Sequence, residues 1–212
     1  MTNRPAAAGV APVCFAIVPY RERPDLKSRL ADQLGPAQRL QLARTMLGQV
    51  LDALLQSRSV QAVLLVGDAA PPPDFARRWA VEHLETSESL NDSVRRACHA
   101  AAARGATEAL IAHADLPTLT PPLIDQMIAR GRALPGAARA ALASCQHQDG
   151  TNLLWLTPAT PIEFAYGQGS RARHLQILRG HGYALVELPS IRDVDSREDL
   201  AALNLPRPDQ SA

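Results

Sequence analysis

Short all-apolar runs alternate along this chain with stretches whose apolar residues recur every three or four positions. Val13 to Pro19 (VCFAIVP) has no polar side, the pattern of a strand covered on both faces. Val60 to Gly67 (VQAVLLVG) reads the same way and is closed by Asp68 and the breaker Pro71-Pro72-Pro73. Thr107 to His113 (TEALIAH) predicts a third inner strand. Ala138 to Ser144 and Asn152 to Thr157 predict strands around the loop CQHQDGT, and Tyr183 to Leu188 a sixth. Between them, Leu40, Ala43, Leu47, Val50, Leu51, Leu54 and Leu55 mark one apolar stripe of a helix that starts after Gly35-Pro36. Leu90 to Arg104 reads as a helix stopped by Gly105, and Pro121-Pro122 opens another to about Arg130. Ser170 to Arg179 and Ser196 to Leu203 complete the helices.

Strands alternating with helices predict an α/β fold, a mixed, mainly parallel sheet with helices on both faces. With no internal repeat and no long linker, residues 13–205 read as one domain, and residues 1–12 and 206–212 as loose ends. In such sheets the ligand lies beyond the carboxyl ends of the strands.

Composition narrows the function classes. A net charge of +1 over 212 residues speaks against a nucleic-acid or membrane-surface binder, so any positive patch is local. No run approaches the roughly 18 apolar residues of a membrane span, and no leader pattern opens the chain. Cys14, Cys98 and Cys145 are far apart, which predicts neither disulfides nor a zinc site and points to the reducing cytoplasm.

Four polar clusters follow predicted strands. In YRERPDLKSRL, Arg21, Arg23, Lys27 and Arg29 suit a phosphate, although a solvated loop paired with Glu22, Asp25 and Asp32 fits equally. Asp115 in AHADLPTLTPP suits a Mg²⁺ ligand or a turn before Leu-Pro. Asp193 and Asp195 in RDVDSREDL point the same way in extended chain and suit one cation. Asp195 or Ser196 also suits a helix cap, with Asp199 completing the box. Finally, Gly150-Thr151-Asn152 and Gly167, Gly169 and Ser170 frame a helix start able to meet an anion beside Arg171, Arg173 and His174. There, too, a plain hairpin turn and helix entry stay open. His113 and His147 read as non-catalytic, Cys145 has no base partner, and no P-loop, Gly-x-Ser-x-Gly or His-Glu-x-x-His motif occurs.

Taken in order, IVPYR-x5-KSRL, SLND, HADLPTLTP, DGTNLL, YGQGSRARH and RDVDSREDL resemble the 2-phospho-L-lactate guanylyltransferases of deazaflavin (factor 420) coenzyme biosynthesis, from about Ala16 to Leu203. The resemblance implies a nucleotide-diphospho-sugar transferase fold of the glycosyltransferase-A, Rossmann-like type. It implies transfer of GMP from GTP to a small phospho-acid (2-phospholactate, phosphoenolpyruvate or 3-phosphoglycerate) with release of pyrophosphate. Carried over by position, Asp115, Asp193 and Asp195 would hold Mg²⁺, and Arg21, Lys27 and Arg29 would face the triphosphate. Lys27, Arg21 and Asp115 would be the catalytic set, Thr151, Gly167 and Ser170 would bind the acceptor, and Asn91 would lie near the guanosine. A second copy of the chain stays open as a partner. The acceptor phosphate is already ionised at neutral pH, so the absence of a nucleophile–base pair suits this chemistry.

The chain departs from the family pattern in two places. Arg21 stands where the family has Lys, and Ser144 to Gly150 replaces a segment close to Pro-Asp-Arg-x-x-Gly. The competing readings are a molybdopterin nucleotidyltransferase-like enzyme, whose Leu-Ala-Ala-Gly-x-Gly-x-Arg loop is missing here, and a catalytically silent nucleotide-binding homologue.

Overall fold

The computed structural model describes residues 11–23, 25–68, 78–79, 81–160 and 162–202. Seven strands form one sheet: β1 Cys14–Pro19, β2 Ala62–Gly67, β3 Glu82–Glu85, β4 Glu108–Ala112, β5 Arg139–Ser144, β6 Thr151–Thr157 and β7 Ala184–Leu188. Their order is β3-β2-β1-β4-β6-β5-β7. Only β6 is reversed, pairing antiparallel with both β4 and β5. Its first residue, Thr151, therefore lies at the edge where the other strands end.

The helices are α1 Pro36–Gln56, α2 Leu90–Ala103, α3 Pro121–Arg132, α4 Ser170–Gly180 and α5 Arg197–Ala202. Alternate residues of the inner strands feed two cores. Ala16, Val18, Val63 and Leu65 pack with Leu47, Leu51 and Leu54 of α1 and Ile124 and Ile128 of α3. Phe15, Ile17, Leu64 and Val66 pack with Val94 and Cys98 of α2 and Leu175 and Leu178 of α4. Both faces of the strand are buried, which is why VCFAIVP carries no polar alternation.

The expected strands and helices all form, with ends shifted by a residue or two. Two differences stand out. Leu55 lies 45% exposed instead of in the apolar stripe, and Leu42 and Met46 are buried in its place, because the helix face turns toward the basic loop at its N-terminal end. The edge strand β3 (EHLE) escapes sequence reading, since an edge strand with no fully buried residue needs no apolar run. Residues 1–10 of the expected loose end 1–12, all of the expected loose end 206–212, and the Pro71-Pro72-Pro73 breaker lie outside the described residues.

Gly67 closes β2 where the chain leaving β1 passes against it. A Cβ here would sit 2.0 Å from the Tyr20 carbonyl oxygen, so only glycine lets the basic loop pack against the sheet.

Candidate active site

The loop from Tyr20 to Leu30 folds over the carboxyl ends of β1 and β4 and lines a cleft of about 330 Å³ with Arg21, Lys27, Arg29, His113, Asp115 and Asp195. Arg39 of α1 holds this loop from inside, its guanidinium donating to the carbonyls of Leu26 (3.1 Å) and Leu34 (3.0 Å). Lys27 adopts the left-handed conformation (φ 51°), uncommon for a residue with a side chain, just before a single 3₁₀ turn at Ser28–Leu30.

That backbone turn drives the Lys27 side chain inward, where it is only 7% exposed. Its ammonium donates to Asp115 Oδ2 at 2.5 Å and to Asp195 Oδ1 at 2.7 Å. Burial disfavours the charge on Lys27, yet the two carboxylates outweigh it and hold the ammonium pKa above its ordinary value. Burial likewise opposes charge on Asp115, but Lys27, then His113, keep its carboxyl below the usual range. Asp193 goes the other way: burial, then the charges of Asp115 and Asp195, push its carboxyl up. The second oxygen of Asp115, Oδ1, is buried with no hydrogen-bond partner.

Two carboxylates thus share one ammonium, and Asp193 feels the negative charge of both. An orphaned carboxylate oxygen and a third carboxyl that resists ionising mark a cluster short of positive charge, which fits a hard divalent cation. As the side chains stand, no three His, Cys, Asp or Glu groups among the described residues are gathered at metal-ligand spacing. Lys27, expected on the triphosphate, lies between two of the expected ligands.

The other cations of the loop divide by what they touch. One nitrogen of Arg21 donates to Ser93 Oγ (2.8 Å), to the Glu88 carbonyl and, weakly, to the Thr86 carbonyl (3.5 Å). Arg21 also lines a neighbouring groove of about 520 Å³ bounded by Val66, Ser87, Glu88 and Ser93, and it stands between the two spaces. Arg23 reaches Asp68 at 3.4 Å. Arg29 is exposed in the cleft, and no described residue pairs with it.

In RDVDSREDL the helix cap falls on Ser196 and Asp199 and leaves the Asp195 side chain out of it. Ser196 Oγ accepts from the Asp199 N–H, and Asp199 Oδ2 accepts from the N–H groups of Asp195 and Ser196, so this pair caps α5. Asp195 keeps its side chain for Lys27. Gln146, from the hairpin that departs from the family pattern, braces the same loop: its amide donates to Asp199 Oδ1 (2.7 Å) and accepts from the Asp193 N–H (3.2 Å). Nothing in the sequence marks Gln146 or Arg39, because their partners are backbone groups and a residue 53 positions away.

Thr151, Gly167 and Ser170 come together as expected, beside β6. The Thr151 N–H donates to Ser170 Oγ at 2.9 Å, and the Ser170 N–H to the Gly167 carbonyl at 3.0 Å. His174 is fully buried behind them. Its Nε2 accepts from the Ala165 N–H at 3.0 Å, so the ring proton sits on Nδ1 and is donated to Thr151 Oγ1, also at 3.0 Å. Burial, with the charges of His113 and Arg173, pulls the His174 pKa down to about 4. Asn91, expected near the guanosine, has both amide atoms on the backbone of Tyr166. The three cysteines are buried and free, and Cys145 Sγ accepts the Gly150 N–H.

His174 gives a pH prediction. An unfolded histidine takes up a proton below its ordinary value of 6.5, while the folded one resists until about 4. Native stability is therefore whole above pH 6.5 and declines as pH falls toward 4, by on the order of 3 kcal/mol. Urea midpoints measured from pH 7.5 to 4 should show this fall, and His174→Gln should remove much of its slope. An unchanged slope in that variant would assign the acid sensitivity to other groups.

The family described as "Guanylyl transferase CofC like" matches residues 14–210. The chain belongs to this family. Phosphoenolpyruvate guanylyltransferase of Sphaerobacter thermophilus is 40% identical over 196 residues, covering 89% of this chain and 91% of that protein. The fold has wider kin. A Desulfovibrio desulfuricans G20 crystal structure described as a nucleotide-diphospho-sugar transferase superposes with TM-score 0.74 at 16% identity, over 90% of this chain and 85% of that one. A cytidylyltransferase from Leptospira borgpetersenii superposes with TM-score 0.59 at 16% identity, over 91% and 85%. The CofC-like chain thus has the nucleotide-diphospho-sugar transferase architecture, and it is a nucleotidyltransferase of the guanylyltransferase kind.

Proposed function

We propose that this guanylyltransferase joins GMP from GTP to a phosphorylated three-carbon acid, phosphoenolpyruvate before 2-phospholactate or 3-phosphoglycerate, within deazaflavin coenzyme biosynthesis in the cytoplasm. The observation that carries the reading is the Lys27–Asp115–Asp195 cluster, with Asp193 beside it and the unpaired Arg29 in the same cleft. Phosphoenolpyruvate stands first because the 40% identical relative is named for it. Neither the molybdopterin-type reading nor the silent homologue is favoured by the family match. No helix among the described residues is long and apolar enough to cross a membrane.

In the proposed reaction an oxygen of the acceptor phosphate forms a bond to the α-phosphorus of GTP. The bond from that phosphorus to the β-bridging oxygen breaks, and pyrophosphate leaves with the electron pair. Asp115, Asp193 and Asp195 would hold the divalent cation, Mg²⁺ in our reading, which when bound neutralises charge on the nucleotide phosphates. Arg29 is free to meet the triphosphate, and Lys27 fixes Asp115 and Asp195 in place. Thr151 and Ser170 shape the acceptor side.

Pyrophosphate release tests this directly. Each phospho-acid is supplied with each of the four nucleoside triphosphates and Mg²⁺, and GTP with phosphoenolpyruvate should turn over fastest. Release from no pair, in a protein that still binds GTP, would overturn the reading.

A further inference from the structure

We propose that Asn91 is a positioning residue that clamps the acceptor loop to the nucleotide side of the cleft, not a guanosine ligand. This rests on the guanylyltransferase reading, with the acceptor held near Thr151 and Ser170.

Asn91 lies in the first turn of α2, next to Leu90, which lines both the cleft and the neighbouring groove. Its Oδ1 accepts from the Tyr166 N–H at 2.7 Å, and its Nδ2 donates to the Tyr166 carbonyl at 3.4 Å. The side-chain amide thus imitates a strand partner for one residue 75 positions away. Each of its polar atoms thus makes one hydrogen bond to that residue, which fixes the direction of the amide.

Tyr166 is the hub of the loop at residues 164–169. Its ring centroid lies 5.2 Å from that of His113, which lines the cleft, and 4.6 Å from that of His174, which holds Thr151. The N–H just before it, that of Ala165, is held by His174. Two adjacent loop amides are therefore fixed by side chains from different helices, α2 and α4.

Beyond Tyr166 the backbone turns through glycines, Gly167 at φ 114° and Gly169 at φ 69°, conformations that other residues rarely adopt. The Gly169 N–H is spent on Asp149 and the Ser170 N–H on Gly167. The N–H groups of Gly167 and Gln168 donate to nothing among the described residues, and both residues are exposed. Paired free amides in a glycine turn suit an anion. Their direction is set by the clamp immediately before them.

The geometry divides what Asn91→Ala does. Releasing Tyr166 should raise the Michaelis constant for phosphoenolpyruvate about 10-fold, the scale of one or two hydrogen bonds, and leave that for GTP within about 2-fold. The preference for GTP over ATP should not change. Asn91→Asp keeps the Oδ1 acceptor for the Tyr166 N–H and should show a smaller rise in the same constant. A rise in the GTP constant, or acceptance of ATP, in either variant would overturn the clamp and return Asn91 to the guanosine. Absence of turnover in the wild type would instead sink the guanylyltransferase reading. The clamp is then read by hydrogen exchange at the Ala165 and Tyr166 amides. Faster exchange in Asn91→Ala supports it, and unchanged exchange overturns it.

Discussion

Asp115→Asn should lower turnover by about 10³-fold while the protein stays folded, a loss worth about 4 kcal/mol of transition-state stabilisation. Asparagine keeps the shape of the side chain and a carbonyl oxygen but removes the charge. Lys27 would keep Asp195 at 2.7 Å, so its buried ammonium is not abandoned and the loop has no reason to open. What disappears is the carboxylate whose Oδ1 is buried and unpartnered, the atom with most to gain from a cation. Turnover with GTP and phosphoenolpyruvate, measured beside a melting curve within a few degrees of wild type, decides it. Near-normal turnover would remove Asp115 from the chemistry.

Lys27→Met is the second large effect, and it strikes stability first. Methionine matches the length of the lysine stem and carries the same cost in the left-handed backbone, so the swap isolates the charge. Without the ammonium, Asp115 and Asp195 face each other with Asp193 nearby, and Asp115 loses its Oδ2 partner. Breaking one side of a buried ion pair costs about 3–5 kcal/mol. Added Mg²⁺ should return part of that loss, raising the melting temperature of the variant more than that of the wild type, because a cation then has uncompensated carboxylates to bind. Equal Mg²⁺ effects on both proteins would argue against a cation site here.

The legibility of the chain follows from how local each signal is. Inner strands announce themselves because two cores take alternate residues, leaving no polar position in VCFAIVP or in Glu108–Ala112 beyond its first residue. The strand β3 has one neighbour and a polar sequence, so nothing periodic betrays it. At the site, residue types were readable and their partners were not. Four cations in one loop look alike on paper, yet a left-handed Lys27 turns one inward, the Glu88 and Ser93 contacts pin Arg21, and Arg29 is left free. Asn91 sits in SLND and its amide meets Tyr166 in YGQGSRARH, a pairing only the fold brings about.

The reversed strand β6 bears on how such proteins diverge. The hairpin at residues 145–150 leaves the sheet and returns to it on the ligand side, and a register slip at Ala143 and Ser144 absorbs an odd residue. Segments inserted or rewritten there change the loop without sliding any strand. Gln146 ties the hairpin to the Asp193 backbone and to the capping carboxylate of Asp199. The hairpin can therefore take new sequence while β1 and β4, which lead into the basic loop and Asp115, keep their register.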